Sequence, residues 1–257
     1  MLNYRIMPVL LLDDCGLYKT EKFKSPRYIG DPVNAVRIFN EKEVDEIILL
    51  DIGPHKGSPA MTDFEISKIT SEAFVPLTYG GGISNVEHGR RLLELGIEKI
   101  AVNTHALGDS NLVRQLSNEF GSSSVVVSID VKKRRGEYVV RSSGGTGKTK
   151  LSAIQWAQMA ENLGAGELLV NSIDRDGTME GLDLELMRQI VDSVDIPVVG
   201  AGGASSVNDL CAGILDAGLS GVAAGSLFVF HGPHRAVLIN FPNRLEFEDA
   251  LKSAQHT

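Results

Sequence analysis

The sequence predicts an α/β fold, a single (β/α)8 TIM barrel built from two repeated half-barrels. Three observations carry this expectation: eight short aliphatic runs, helical segments with start and stop signals between them, and a block that recurs after a shift of 121 residues. Strands of a parallel sheet are buried on both faces and read as near-continuous apolar runs, as these eight do.

"RIMPVLLL" is strand one and runs out into "DDCG". Asp31 caps and Pro32 opens the helix "DPVNAVRIFNEK", because an Asp oxygen satisfies a free first-turn N–H and Pro has none to leave unpaired. "DEIILLDI" is strand two and "VPLTYG" strand three. The helix "SNVEHGRRLLELG" then starts at Ser84 and stops at Gly96. "EKIAVN", "SVVVSID", "GELLVNSI" and "IPVVGA" are strands four to seven. A second glycine-terminated helix, "SSVNDLCAGILDAG", runs from near Ser205 to Gly218 and leads into strand eight, "SGVAAG". Eight βα units in 257 residues is the arithmetic of a barrel. A doubly wound sheet is the rival, but it rarely needs eight regular units.

The repeat aligns "VPLTYGGGISNVEHGRRLLELG" with "IPVVGAGGASSVNDLCAGILDAG". It pairs Pro76 with Pro197, Gly81 with Gly202, Gly82 with Gly203, Ser84 with Ser205 and Glu46 with Glu167. The halves divide at about 1–121 and 122–257, and with no linker between them one domain over 1–257 is expected.

Bulk properties exclude several classes. Hydrophobic residues make up 43% and charged residues 23% of the chain, and the net charge is −8. The one basic cluster, Lys132 to Arg135, is short and reads as a solvated loop, so no nucleic-acid partner is expected. No apolar run reaches the ~18 residues that span a bilayer, and the first residues lack the pattern of a secretory leader. Cys15 and Cys211 form no metal or redox spacing, so a reducing, cytoplasmic setting is expected, with no membrane association. The histidines, His231 and His234 among them, show no ligand spacing, and neither a metal nor a cofactor is expected. Trp156 lies in a helical stretch and reads as packing.

In such barrels chemistry sits at the C-terminal strand ends. "YGGGIS" and "GAGGAS" follow strands three and seven, and each leads into a helix. Paired glycines let backbone N–H groups approach an anion, and the duplication favours phosphate binding over a mere tight turn. Ser84 and Ser205 are candidate caps of the helices that follow. Asn103 and Thr104 after strand four, and Ala224, Gly225 and Ser226 after strand eight, offer further donors. Two phosphate sites across the mouth suit a ligand phosphorylated at both ends. Asp130 ends strand five after an apolar run and is favoured as a general acid/base over a loop cap. Asp176 and Gly177, in "NSIDRDGT", read equally as a turn. "RSSGGTGKTK" has Ser142 where a Walker A loop needs its first glycine, and reads as a mobile active-site loop. At the opposite end Arg5, Glu46, Lys99 and Glu167 stand at strand starts. On composition alone they are surface charges, with a salt-bridged ring across the barrel floor as the other reading.

These motifs carry a resemblance. Through "RIMPVLLL…GLYKT", "GDPVNAVRIFNEKEVDEIILLDI", "YGGGIS", "KIAVNTHAL", "VVVSIDVK", "GAGELLVNSIDRDGTMEG" and "GAGGAS", the chain resembles the cyclase subunit of imidazole glycerol phosphate synthase (the HisF type) over nearly its full length. The resemblance implies a glutaminase subunit (HisH type) docked at the N-terminal face of the barrel. It implies ammonia passing through the barrel to a phosphorylated small-molecule ligand, which is cyclised and cleaved. By motif, Gly82, Asn103 and Thr104 would hold one phosphate, and Asp176, Gly177, Gly203 and Ala224 to Ser226 the other. Lys19 would belong to a flexible first loop that closes on the ligand. Arg5, Glu46, Lys99 and Glu167 match the family's ammonia gate, which replaces the surface reading.

One departure stands out. The family uses an acid at the end of strand one and another at strand five. The second is Asp130, but the first position holds Leu11, and the half-barrel repeat also sets Leu11 opposite Asp130. Losing a positioned acid/base costs ~10²–10⁴-fold in rate. Asp13 shares the parity of Leu11 but lies about 6–7 Å farther along the strand, so it substitutes only if the strand bends. Family members that read "PVLLL" here are associated with amidation of surface-polysaccharide sugars, beside a glutaminase-like partner and a separate sugar amidotransferase. That role is the leading expectation. The alternatives are a histidine-pathway cyclase carried by Asp130, a non-catalytic scaffold that activates the glutaminase, and a phosphosugar isomerase of the sister barrel family, which would need no gate.

Overall fold

A computed structural model describes residues 4–14, 16–53 and 61–255; Cys15 lies outside them. β1 (Arg5–Asp13) leads into an antiparallel ribbon, β2 (Gly16–Glu21) and β3 (Lys24–Gly30). Then come α1 (Pro32–Glu41), β4 (Ile47–Asp51), α2 (Asp63–Ser71), β5 (Leu77–Gly80), α3 (Val86–Glu94) and β6 (Lys99–Val102). Two helices, α4 (Thr104–Gly108) and α5 (Asn111–Phe120), precede β7 (Val125–Arg134), which leads into a second ribbon, β8 (Glu137–Ser142) and β9 (Gly147–Ser152). The chain continues through α6 (Ala153–Asn162), β10 (Glu167–Ser172), α7 (Leu184–Val191), β11 (Val198–Ala201), α8 (Val207–Leu215), β12 (Gly221–Ala224) and α9 (Ser226–Val229). After a short two-stranded pairing, α10 (Arg244–Gln255) packs against α8.

The eight sequence-predicted strands are β1, β4, β5, β6, β7, β10, β11 and β12, and they pair in parallel in that cyclic order. The β12–β1 and β7–β10 ladders close the ring, giving a (β/α)8 barrel. Strand alternation sorts side chains into two cores. Met7, Val9, Ile48, Ala101, Val126, Leu169, Val199, Ala201 and Ala223 fill the barrel interior. Alternate residues such as Leu10, Ile47, Val127 and Leu168 face the helices. Trp156 is buried among the latter, as packing requires. No helix among the described residues is long and apolar enough to cross a membrane.

Four expectations need correction. The caps of α3 and α8 are Asn85 and Ser206, one residue beyond Ser84 and Ser205. Asn85 accepts from the His88 N–H and Ser206 from the Asp209 N–H, because the glycine turn uses one more residue before the helix begins. The segment carrying Lys19 is a paired strand, and Lys19 itself is buried. "RSSGGTGKTK" is likewise mostly strand, with only Ser143 to Thr146 in the turn. Both ribbons are held by backbone pairing while much of their side-chain surface is polar, so neither carries the apolar signature of a strand. Lys132 to Arg134 are not loop but the end of β7, with only Arg135 in the turn to β8, although Lys133 to Arg135 are exposed.

Candidate active site

The C-terminal strand ends enclose a cavity of about 590 Å3, a size typical of small-ligand sites. Asp130 projects into it from β7, directly beside its register partner Asn171 of β10. The Asn103 amide donates to Asp130 Oδ2 at 2.7 Å. Burial nevertheless dominates and lifts the Asp130 carboxyl to about 7, with the charge of Asp176 adding to the lift and the Asn103 hydrogen bond opposing it. A carboxyl poised there can both give and take a proton near neutrality.

The opposite wall is apolar. Leu11 lies across from Leu50 in the β1–β4 ladder and beside Tyr18 in the β1–β2 ladder, and its side chain borders the cavity with Val9. Asp13 does not replace it. The strand runs straight on to pair Asp13 with Gly16 at the ribbon's turn, and Asp13 is absent from the cavity wall.

Asp176 and Gly177 are more than a turn. Both line the cavity; Asp176 is hydrogen-bonded to the first ribbon and Gly177 lies close against it. Thr20 Oγ1 donates to Asp176 Oδ2 at 3.1 Å, and the Lys22 N–H donates to the Asp176 carbonyl at 2.9 Å. Burial raises the Asp176 carboxyl, against the pull of Lys19. Gly177 has φ +71°, and a Cβ there would collide with the Thr20 carbonyl oxygen. Gly177→Ala should therefore loosen the ribbon and destabilise the protein by about 1–3 kcal/mol. A denaturant titration checks this; a loss under ~0.5 kcal/mol would show that the ribbon gives way freely.

Lys19 reaches across the ribbon to the exit of β12. Its ammonium donates to the Val9 carbonyl at 2.5 Å and occupies the space a Cβ would take at Gly225. Burial lowers the Lys19 amine to about 8, with Asp176 resisting. Gly202, Gly203, Ala224 and Ser226 surround the same corner of the cavity. Gly81, Gly82, Asn103 and Thr104 line the corner formed by the exits of β5 and β6. Every residue expected to contact ligand thus borders one cavity.

The floor charges meet across the barrel. Lys99 Nζ donates to Glu46 Oε2 at 2.8 Å and to Glu167 Oε2 at 2.9 Å. Arg5 pairs with Glu46 at 3.1 Å and with Glu167. Thr78 Oγ1 donates to Glu46 Oε1 at 2.5 Å. With Glu46 and Glu167 buried, the quartet is a salt-bridged ring rather than a set of surface charges.

Some cavity residues escaped the sequence reading. Asp51 ends β4 and accepts from the Tyr79 hydroxyl at 2.9 Å; the acid closing "IILLD" was its signal. Ser128 and Asn171 also line the cavity, from strand interiors where the linear sequence marks neither. Among the described residues no group of three or more His, Cys, Asp or Glu side chains is placed to hold a metal.

Comparison with known proteins fits this geometry. The family model described as "Histidine biosynthesis protein" matches residues 5–234. A Pseudomonas aeruginosa protein provisionally named imidazole glycerol phosphate synthase subunit hisF2 is 50% identical over 95% of this chain and 97% of its own length. A Leptospira interrogans protein, provisionally named imidazole glycerol phosphate synthase subunit HisF, is 47% identical over 98% of this chain and 99% of its own. The Chlorobaculum parvum imidazole glycerol phosphate synthase subunit HisF is 41% identical over 90% of this chain and 92% of its own. A barrel with this mouth, matched at this identity over nearly its whole length, belongs to the histidine biosynthesis protein family, among the HisF-type cyclase subunits of imidazole glycerol phosphate synthase.

Proposed function

We propose that this protein receives ammonia from a glutaminase (HisH type) docked beneath the N-terminal face of the barrel and delivers it to a ligand phosphorylated at both ends. Ammonia enters past the Arg5–Glu46–Lys99–Glu167 ring and crosses the apolar interior to Asp130. One phosphate sits at Gly81, Gly82, Asn103 and Thr104. The other sits at Asp176, Gly177, Gly202, Gly203 and Ala224 to Ser226, beside Lys19. The favoured role is ammonia supply for sugar amidation in surface-polysaccharide biosynthesis, together with a separate amidotransferase.

The observation that carries this role is Leu11. Ring closure at one side of the ligand and bond cleavage at the other need proton transfers at both sides of the mouth. Asp130 serves one side, while the other presents Val9, Leu11 and Leu50, which move no proton. A second reading, the histidine-pathway cyclase, draws support from Asp176. It is a buried, raised carboxyl in the same mouth, close enough to Asp130 to shift it.

The test mixes the protein with its glutaminase and the two-phosphate histidine precursor. The favoured role expects turnover ~10²–10⁴-fold below that of a pathway enzyme, with Leu11→Asp recovering at least tenfold. Pathway-level turnover by the unaltered chain would establish the second reading and remove the first.

A further inference from the structure

The two ends of the cavity are unequal in charge. A phosphate at the β11–β12 corner has the Lys19 ammonium beside it. At the β5–β6 corner the cavity wall supplies hydroxyl, amide and backbone groups and the His105 imidazole but, among the described residues, neither a lysine nor an arginine. A phosphate bound there would keep its charge in a partly desolvated site, which is costly without a cation.

The second ribbon carries one. Arg141 stands on β8 directly opposite Asp130, so both side chains leave the same face of the ribbon. Its neighbours confirm the facing: Tyr138 and Val140 pack into the outer core, and Arg141 alternates with Val140. Arg141 is 7% exposed, and its Nε has no hydrogen-bond partner. Among the described residues no carboxylate lies within salt-bridge distance of it. Every other buried charged side chain has a polar partner: Glu46 and Glu167 in the floor ring, Asp51 with Tyr79, Asp130 with Asn103, and Lys19 with the Val9 carbonyl. A guanidinium stays charged in any protein setting, and one buried without an anion carries an unmet demand for one. Two residues on, Ser143 donates its backbone N–H to Thr104 Oγ1 at 2.9 Å, fastening the turn that follows Arg141 to the β6 exit. Ser143 and Gly144 form the cavity wall there, while Arg141 itself is buried next to that wall and not part of it. Lys148, opposite Arg141 on β9, adds a second, exposed cation on the same face.

We propose that Arg141 is the phosphate-recognition cation of the β5–β6 corner, the counterpart of Lys19 at the β11–β12 corner. Each antiparallel ribbon would then contribute one cation to one end of the ligand, although Arg141 matches Tyr18 rather than Lys19 in ribbon register. A planar guanidinium presents paired donors to two phosphate oxygens, which the lysine at the other end cannot do. The inference rests on the two-phosphate reading above but not on ammonia transfer or on the glutaminase.

Inorganic phosphate, titrated against the full chain and followed by phosphorus NMR, tests it. The unaltered protein should hold two phosphates. Arg141→Met should weaken one of them at least ~10-fold and spare the other. Lys19→Met should do the reverse, and Arg141→Lys should fall between. If Arg141→Met fails to fold, Arg141→Lys decides, since it must still weaken only one site. Two undiminished sites in both Arg141 variants would overturn the assignment and leave the two-phosphate reading standing. A single site or none in the unaltered protein would remove both.

Discussion

Asp130→Asn should make the protein more stable above pH 7 while lowering ammonia-dependent turnover ~10²–10⁴-fold. The folded-state carboxyl is lifted from 3.8 to about 7, chiefly by burial. Between those values the folded protein keeps a proton that the unfolded chain has lost. Stability therefore falls as pH climbs through this window, and the full penalty is in place once pH exceeds 7. At 1.36 kcal/mol per pH unit the penalty is on the order of 4 kcal/mol. An asparagine cannot ionise and so escapes it. Melts at pH 5 and pH 8 check the sign: the advantage of the variant should be larger at pH 8. An advantage independent of pH would mean that Asp130 is charged throughout and is no proton shuttle. The turnover loss, measured with an ammonium salt in place of glutamine, separates this from mere stabilisation.

The cost at Asp130 also explains how far the site could be read from the chain. An acid that closes a run of apolar residues carries a desolvation penalty with no packing benefit, so its place in the linear chain already marks function. The same logic marks Asp51, which the glycine turn after β5 overshadowed. The glycine turns and the strands were legible for a related reason, because close backbone approach and two-sided burial each restrict residue type severely. The ribbons were not legible. β2 and β9, "GLYKTE" and "GKTKLS", gain their structure from backbone pairing to a neighbour, and backbone pairing leaves little trace in composition. Arg141 went unnoticed with them, since its burial depends on the strand register. The cap positions missed by one residue because Ser84–Asn85 and Ser205–Ser206 both offer adjacent capping side chains, and only the dihedral angles of the turn choose between them.

Lys99→Met should cost about 2–3 kcal/mol of stability and should uncouple glutamine hydrolysis from ammonia use. Lys99 is bonded to both Glu46 and Glu167, and neither carboxylate has useful access to solvent. Removing one cation from a buried ion pair strands its partner at about 3–5 kcal/mol. Here Arg5 still reaches both carboxylates, so the loss should be smaller. Exposed pairs behave differently, since they are worth under ~1 kcal/mol and fade with salt. Urea titrations at low and high salt therefore discriminate: a ring predicts a large loss that salt hardly changes, and separate surface charges predict a small one that salt erases. Pairing Lys99→Met with Glu167→Gln tests the same point by compensation, because removing the stranded carboxylate should return part of the stability. If the double variant is no more stable than Lys99→Met alone, Glu167 does not depend on Lys99, and the floor is not a single electrostatic unit that an ammonia gate could open and close.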